Sequence, residues 1–239
     1  MTGHFSTIND LGLQNIVVVL SFLPIAYIYW KEAEIKKSIL FKPDNHVNKV
    51  LIDNFALRLI VILILAILLG IAWNNIILLF PEAVNSKSYQ EVNASLMGKN
   101  NLIFTLLRTC ILAPVTEEIL YRGIVFRRLR KEYTVFISIL FSSLLFGIIH
   151  FNMVQFLYAL VLGILFAYIY EREQNLLFPV LCHAGINFVA ILREKSDIFK
   201  FWEKSIGYAA TSIVLLVISS IIIMYIYNGR KNRKNIDTI

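Results

Sequence analysis

Two adjacent carboxylates, Glu117 and Glu118, lie inside an apolar run from Leu102 to Phe126, and they are predicted to be the only two of the sixteen acidic residues inside a spanning segment. A carboxylate near the middle of a bilayer costs about 2.5 to 3.5 kcal/mol, so an adjacent pair indicates a functional site. Glu118 and Arg122 are four residues apart and share a helix face, which predicts a salt bridge. Glu117 points about 100° away and stays free for chemistry. The alternative is a buried charge network without a reaction.

Two histidines also stand in apolar runs. His150 ends one such run, where a lone histidine is often only a packed or interfacial residue. His183 carries a stronger signal, because Asn187 lies four residues later on the same helix face and aims a second polar side chain at one place inside the membrane.

These side chains fall on three successive helices and are expected to converge, since polar groups in a membrane seek one another. Such a set can activate water for attack on a peptide carbonyl, with a glutamate as general base and a histidine or asparagine stabilising the oxyanion. The same set can hold a catalytic zinc through two histidines and a carboxylate, with the second glutamate as base. The residues leave both mechanisms open.

The order Glu-Glu-x-x-x-Arg, Phe-x-x-x-His and His-x-x-x-Asn resembles the three motifs of the CAAX-protease and bacteriocin-processing (CPBP) family of intramembrane proteases, also called the CAAX prenyl protease 2 or Abi family. Every motif position is matched, and the resemblance covers roughly Ala113 to Leu192. The matching residues are Glu117, Glu118, Arg122, Phe146, His150, His183 and Asn187.

The resemblance implies that Glu117 and His150 activate the attacking water, that His183 and Asn187 stabilise the oxyanion, and that Glu118, Arg122 and Phe146 are structural. If a metal is bound, its implied ligands are Glu117, His150 and His183, and zinc is the expected ion. Family members are described both as metalloproteases and as metal-free glutamate proteases.

The implied function is an intramembrane endopeptidase that cleaves a membrane-associated peptide or protein, such as a bacterial pheromone or bacteriocin precursor. One alternative is a bacteriocin self-immunity or scaffold protein of the same fold that needs no proteolysis. An ion or proton transporter is a further alternative, disfavoured because the sequence has no inverted repeat.

Seven apolar runs must position these residues, which predicts an all-α, polytopic membrane bundle. The other spans are Gly12 to Trp30, Phe55 to Phe80, Tyr133 to Phe151, Val154 to Tyr170, Leu176 to Leu192 and Tyr208 to Tyr227. Residues 1–100 are expected to form a two-helix segment with loops, 101–192 the catalytic core, and 193–239 a last helix with a basic tail. His150 is predicted close to the external end of its helix, farther from the cytoplasmic side than Glu117 and His183. Tilting of that helix, or first turns that lie at the interface, would bring the three residues to the same depth.

Composition supports a membrane protein, because 58% of the 239 residues are hydrophobic and 16% are charged, with a mean hydropathy of +0.69. The net charge of +7 comes mostly from clusters flanking the apolar runs, where lipid head groups explain it better than nucleic acid. The asymmetry of these clusters predicts an external amino terminus and a cytoplasmic carboxyl terminus. The expected location is a bacterial plasma membrane, with the bilayer and a peptide or protein substrate as partners.

Cys110 and Cys182 both lie in apolar segments without the spacing of a metal or redox pair. They are expected to be packing residues.

Overall fold

The computed structural model of the chain describes residues 55–78, 102–151, 153–195 and 207–228, together with positions 52, 54, 80, 85–87, 90 and 94. The predicted first span, Gly12 to Trp30, lies outside these residues. The described part is all-helical and contains no strand. Its elements are α1 (Phe55–Leu78), α2 (Leu102–Leu106), π1 (Leu107–Leu112), α3 (Ala113–Glu118), π2 (Ile119–Phe126), α4 (Arg127–Glu132), α5 (Val135–Ile148), α6 (Met153–Glu173), α7 (Leu177–Lys195) and α8 (Gly207–Asn228).

Among the described residues, three helices are long and apolar enough to cross a bilayer, namely Phe55–Ile77, Met153–Glu173 and Ala209–Tyr227. Val135–Ile148 and Leu177–Arg193 are shorter apolar helices. Residues 102–132 form a further helical stretch, in which α and π segments alternate without a break. Six of the seven predicted spans therefore have a helical counterpart.

Local sequence sets several helix ends. Asn54 accepts a hydrogen bond from the backbone N–H of Leu57 at 3.0 Å and caps α1. Thr134 accepts one from Ile137 at 3.4 Å at the start of α5. The predicted span from Tyr133 to Phe151 was therefore too long at both ends, because the cap lies inside it and the helix stops at Ile148.

The core is formed by α1, α6, α7 and α8, with α5 packed along α6. Gly163 permits the close approach of α5 and α6, since a Cβ there would lie 3.0 Å from Ser143 Cβ and 3.1 Å from Phe146 Cδ1. Large apolar side chains on the outer face of α1, such as Leu57, Ile60 and Ile64, are exposed. Lipid is their natural solvent.

Candidate active site

The two carboxylates lie on α3, a segment of six residues between two π segments. A π-helix pairs each N–H with the carbonyl five residues earlier, and such segments occur often at functional sites. The short α3 therefore holds Glu117 and Glu118 within a locally widened helix.

Glu118 and Arg122 form the predicted salt bridge, with Nη1 of Arg122 2.9 Å from Oε1 of Glu118. Both side chains are completely buried. Glu118 Oε2 and Arg122 Nε have no hydrogen-bond partner among the described residues. A buried pair of this kind is sensitive to the loss of either member, because the remaining charge would then be uncompensated.

Arg122 also ties its helix to α5 and α6. Its Nη2 donates to the backbone carbonyl of Gly163 at 2.9 Å. The guanidinium carbon lies 4.7 Å from the ring centroid of Phe146 and 5.4 Å from that of Phe166. Such contacts of a cation with aromatic faces are favourable where water is excluded.

His183 on α7 touches both carboxylates. Its Nδ1 lies 2.9 Å from Oε1 of Glu118, the same oxygen that accepts the Arg122 bond. Its Nε2 lies 3.8 Å from Oε2 of Glu117. The ring stacks on Phe166 with a centroid distance of 5.0 Å, so both packing and hydrogen bonding fix the orientation of the imidazole.

His150 follows the end of α5, and its Nδ1 lies 3.0 Å from the backbone oxygen of Phe146. The Phe146 ring contacts the rings of His150 and His183 at centroid distances of 5.4 and 5.8 Å. The Phe146 ring therefore links His150 to the cluster around His183.

Glu117 differs from its neighbour in exposure. Its side chain is 25% exposed, whereas that of Glu118 is completely buried. The structure therefore separates a fully buried carboxylate from a partly exposed one, and the buried one forms the pair with Arg122 that the helix-face argument predicted.

Asn187 lies on α7 one turn after His183. Its side-chain Nδ2 donates to the backbone carbonyl of Thr109 in π1 at 2.8 Å. One of the two amide protons is therefore bound to the protein itself.

The hydrogen bonds define the neutral tautomers of both histidines. Nδ1 of His183 faces a carboxylate oxygen and Nδ1 of His150 faces a carbonyl oxygen, and both oxygens only accept hydrogen bonds. We infer that Nδ1 carries the proton in each neutral ring. Nε2 is then an acceptor, and His183 can donate to an oxyanion only after Nε2 is protonated.

The donor types of the expected zinc site are present, but their arrangement is incomplete. Glu117 and His183 face each other at 3.8 Å, and the bond from His183 to Glu118 is of the kind that orients metal-bound histidines. Within the described residues, however, no group of three or more His, Cys, Asp and Glu side chains is placed to hold a metal ion.

A second buried charge cluster was missed. Glu173, at the end of α6, is 3% exposed, with its Oε1 3.0 Å from Nε of Arg58 and 2.9 Å from the Tyr227 hydroxyl. The prediction that only Glu117 and Glu118 lie inside spanning segments was wrong, because the apolar run was ended at Tyr170 while the helix continues to Glu173.

A polar cluster of uncharged and charged side chains was also missed. Asn75 donates to the Ser212 hydroxyl at 2.8 Å, which joins α1 to α8. Arg193 donates to the Asn75 side-chain oxygen and adds α7 to the cluster. In the sequence, this cluster was indicated only by Asn75 and Ser212, which are polar residues within apolar runs.

Comparison with known proteins identifies the region that holds the three motifs. Residues 99–189 match the family model described as type II CAAX prenyl endopeptidase Rce1-like. The chain is 27% identical over 99 residues to the "Putative membrane peptidase YdiL" of Bacillus subtilis (strain 168), covering 41% of each chain. It is 34% identical over 97 residues to an "Uncharacterized 24.3 kDa protein" of Escherichia coli, covering 38% of this chain and 45% of that protein.

The chain thus spans less than half the length of these two relatives. No solved structure matches it. The family match confirms the resemblance to CPBP proteins, since the matched region contains every motif residue. Together with the apolar helices, it identifies a multi-pass membrane protein with bacterial relatives.

Proposed function

We propose that this membrane protein is an endopeptidase that hydrolyses a peptide bond of a membrane-associated peptide or protein, with Glu117 as the general base. The observation that carries the proposal is the contrast between the two adjacent carboxylates. Glu118 is buried and bound to Arg122 and His183, whereas Glu117 is accessible and faces Nε2 of His183. The family match and the peptidase name of a relative support the same reaction class.

In the proposed reaction, Glu117 accepts a proton from water while the water oxygen attacks the substrate carbonyl. Nε2 of His150, whose lone pair is free in the neutral ring, assists in holding that water. The tetrahedral intermediate collapses when the leaving amine receives the proton from Glu117. All bonds are then accounted for, since water supplies the hydroxyl of the new acid and the proton of the new amine.

Stabilisation of the oxyanion is assigned to His183 in its protonated form. The Glu118 carboxylate accepts the hydrogen bond of Nδ1 and fixes the ring, so that Nε2 points toward the side of the partly exposed Glu117. Preorganised donors of this kind typically contribute about 2.7 to 4 kcal/mol of transition-state stabilisation.

If a metal is bound, the ligands that the family resemblance implies are Glu117, His150 and His183, and a zinc ion would supply Lewis-acid polarisation of water or of the carbonyl.

The test compares peptides released from membranes that contain the wild-type protein and the Glu117→Gln variant, measured by mass spectrometry. Glu132→Gln is the matched control, because it makes the same chemical change at an exposed position in α4. We expect peptides released by the wild type and the control to be absent with Glu117→Gln. Identical peptide profiles in all three would overturn the proposal and favour an immunity or scaffold role.

A further inference from the structure

One backbone carbonyl in π1, that of Thr109, has no N–H partner within its own helix. Ala113 donates its N–H to the carbonyl of Arg108, five residues earlier. In the same pattern residue 114 would donate to Thr109, but residue 114 is proline and has no N–H. The Thr109 carbonyl is therefore left without a helical donor.

Asn187 supplies the missing donor from another helix, through its 2.8 Å bond to this oxygen. Pro114 is fully buried and Thr109 is half-buried. In a membrane the alternative partner, water, is scarce, and an unpaired backbone group is costly there.

We propose that Asn187 is a positioning residue, which pairs the carbonyl that Pro114 leaves free and thereby fixes π1 and the adjoining α3 against α7. Its effect on cleavage, which rests on the proposed function, is exerted through the position of Glu117. This role differs from the oxyanion contact that the family resemblance implied for Asn187.

The geometry explains how the position is transmitted. Pro114 lies in the first turn of α3 and Glu117 lies one turn later. On α7, His183 and Asn187 are likewise one turn apart, with His183 facing Glu117 and Asn187 facing Thr109. Two contacts one turn apart hold π1 and α3 in register with α7, with the Asn187 bond fixing the end at π1 and His183 the end at Glu117 and Glu118.

Pro114→Ala provides a rescue experiment. Alanine restores an N–H at this position, so that the helix itself can pair the Thr109 carbonyl, either directly or by returning the segment to the α pattern. We expect Asn187→Ala to lower cleavage at least tenfold, Pro114→Ala to stay near wild type, and the double variant to recover to within about threefold of Pro114→Ala. A double variant as inactive as Asn187→Ala would overturn the positioning role and favour direct contact with the substrate.

Amide hydrogen exchange gives a readout that does not depend on peptidase activity. We expect exchange in residues 107–112 to rise about tenfold in Asn187→Ala, which is the effect of losing one hydrogen bond of ordinary strength. The Pro114→Ala double variant should return it to the wild-type rate, and the peptide covering α5 serves as internal control. Unchanged exchange in Asn187→Ala would contradict the proposal even if no variant cleaves any peptide.

Asn187→Asp tests the proposal independently if the double variant does not fold. Aspartate keeps the shape of the side chain, but its carboxylate presents only acceptors to the Thr109 carbonyl. Exchange in residues 107–112 should therefore rise at least as much as in Asn187→Ala. A wild-type rate in Asn187→Asp would overturn the assignment.

Discussion

His183 and Glu118 are joined by a 2.9 Å hydrogen bond between Nδ1 and Oε1, and that oxygen also accepts the bond from Arg122. One carboxylate oxygen therefore both neutralises a buried cation and orients a site histidine. The position expected to be purely structural is linked directly to the proposed chemistry.

Glu118→Gln should lower cleavage about 10- to 100-fold, which is the usual effect of removing a group that orients a functional histidine. The amide carries no charge to pair with Arg122 and holds Nδ1 of His183 less firmly than the carboxylate does. The measurement is the cleavage rate per folded molecule. Glu132→Gln is again the control, and a rate equal to that of the control would contradict the linkage.

Arg122→Lys should destabilise the protein although it preserves the charge. Lysine cannot bond Glu118 and the Gly163 carbonyl in the same forked geometry, nor stack between the Phe146 and Phe166 rings in the same way. We expect a loss of about 1 to 3 kcal/mol, the range for leaving a buried hydrogen-bonding group without its partner, measured by denaturation in detergent. Lys131→Ala, at an exposed position, should leave stability unchanged.

Gly163→Ala should separate α5 from α6. The added Cβ would meet the Cα of Ser143 at 3.2 Å and Phe146 Cδ1 at 3.1 Å, and overpacking of this kind costs about 1 to 3 kcal/mol. Because Phe146 contacts both histidines, cleavage should fall together with the melting temperature. Gly70→Ala, whose new Cβ would meet only the side chain of Ile186, should have the milder effect.

Tyr227→Phe should lower the free energy of unfolding by about 1.5 to 3 kcal/mol, the range for hydrogen bonds to charged groups. Arg58→Ala should cost more, because it leaves Glu173 buried without its cation. The cluster contacts none of the motif residues in the described contacts, so cleavage per folded molecule should stay near wild type. A selective loss of activity at full stability would show that the cluster takes part in the reaction.

A catalytic zinc makes a separate prediction. If a zinc ion takes part in the reaction, chelation should abolish cleavage, added zinc should restore it, and elemental analysis should find about one ion per chain in the wild type and none in His183→Ala. Cleavage that survives chelation in metal-free protein would assign the reaction to the glutamate and histidines alone.

The sequence predicted the Glu118–Arg122 pair correctly, because it follows from helix periodicity within one segment. The convergence of the three motifs was also predictable, since buried polar groups have few alternatives to one another. The π segments were not predicted, because apolar runs look alike in the α and π patterns, and Pro114 was the only local sign.

Contacts between a side chain and a distant backbone group were beyond reach for a different reason. The bond from Asn187 to Thr109 spans 78 positions. Its acceptor is a backbone carbonyl, and because every residue has one, the sequence does not indicate which carbonyl is bound. Glu173 was missed because helix continuation past an apolar run depends on partners such as Arg58, which a single segment does not reveal.

The 14-residue length of α5 also bears on how the lipid is arranged. At 1.5 Å per residue this helix is about 21 Å long, while a typical hydrocarbon core is about 30 Å thick. Thinning is one way in which a bilayer accommodates so short a helix, and Phe151, which is 92% exposed, follows His150 just beyond its end. Local thinning at this end of α5 would shorten the path of water from the membrane surface to the motif residues.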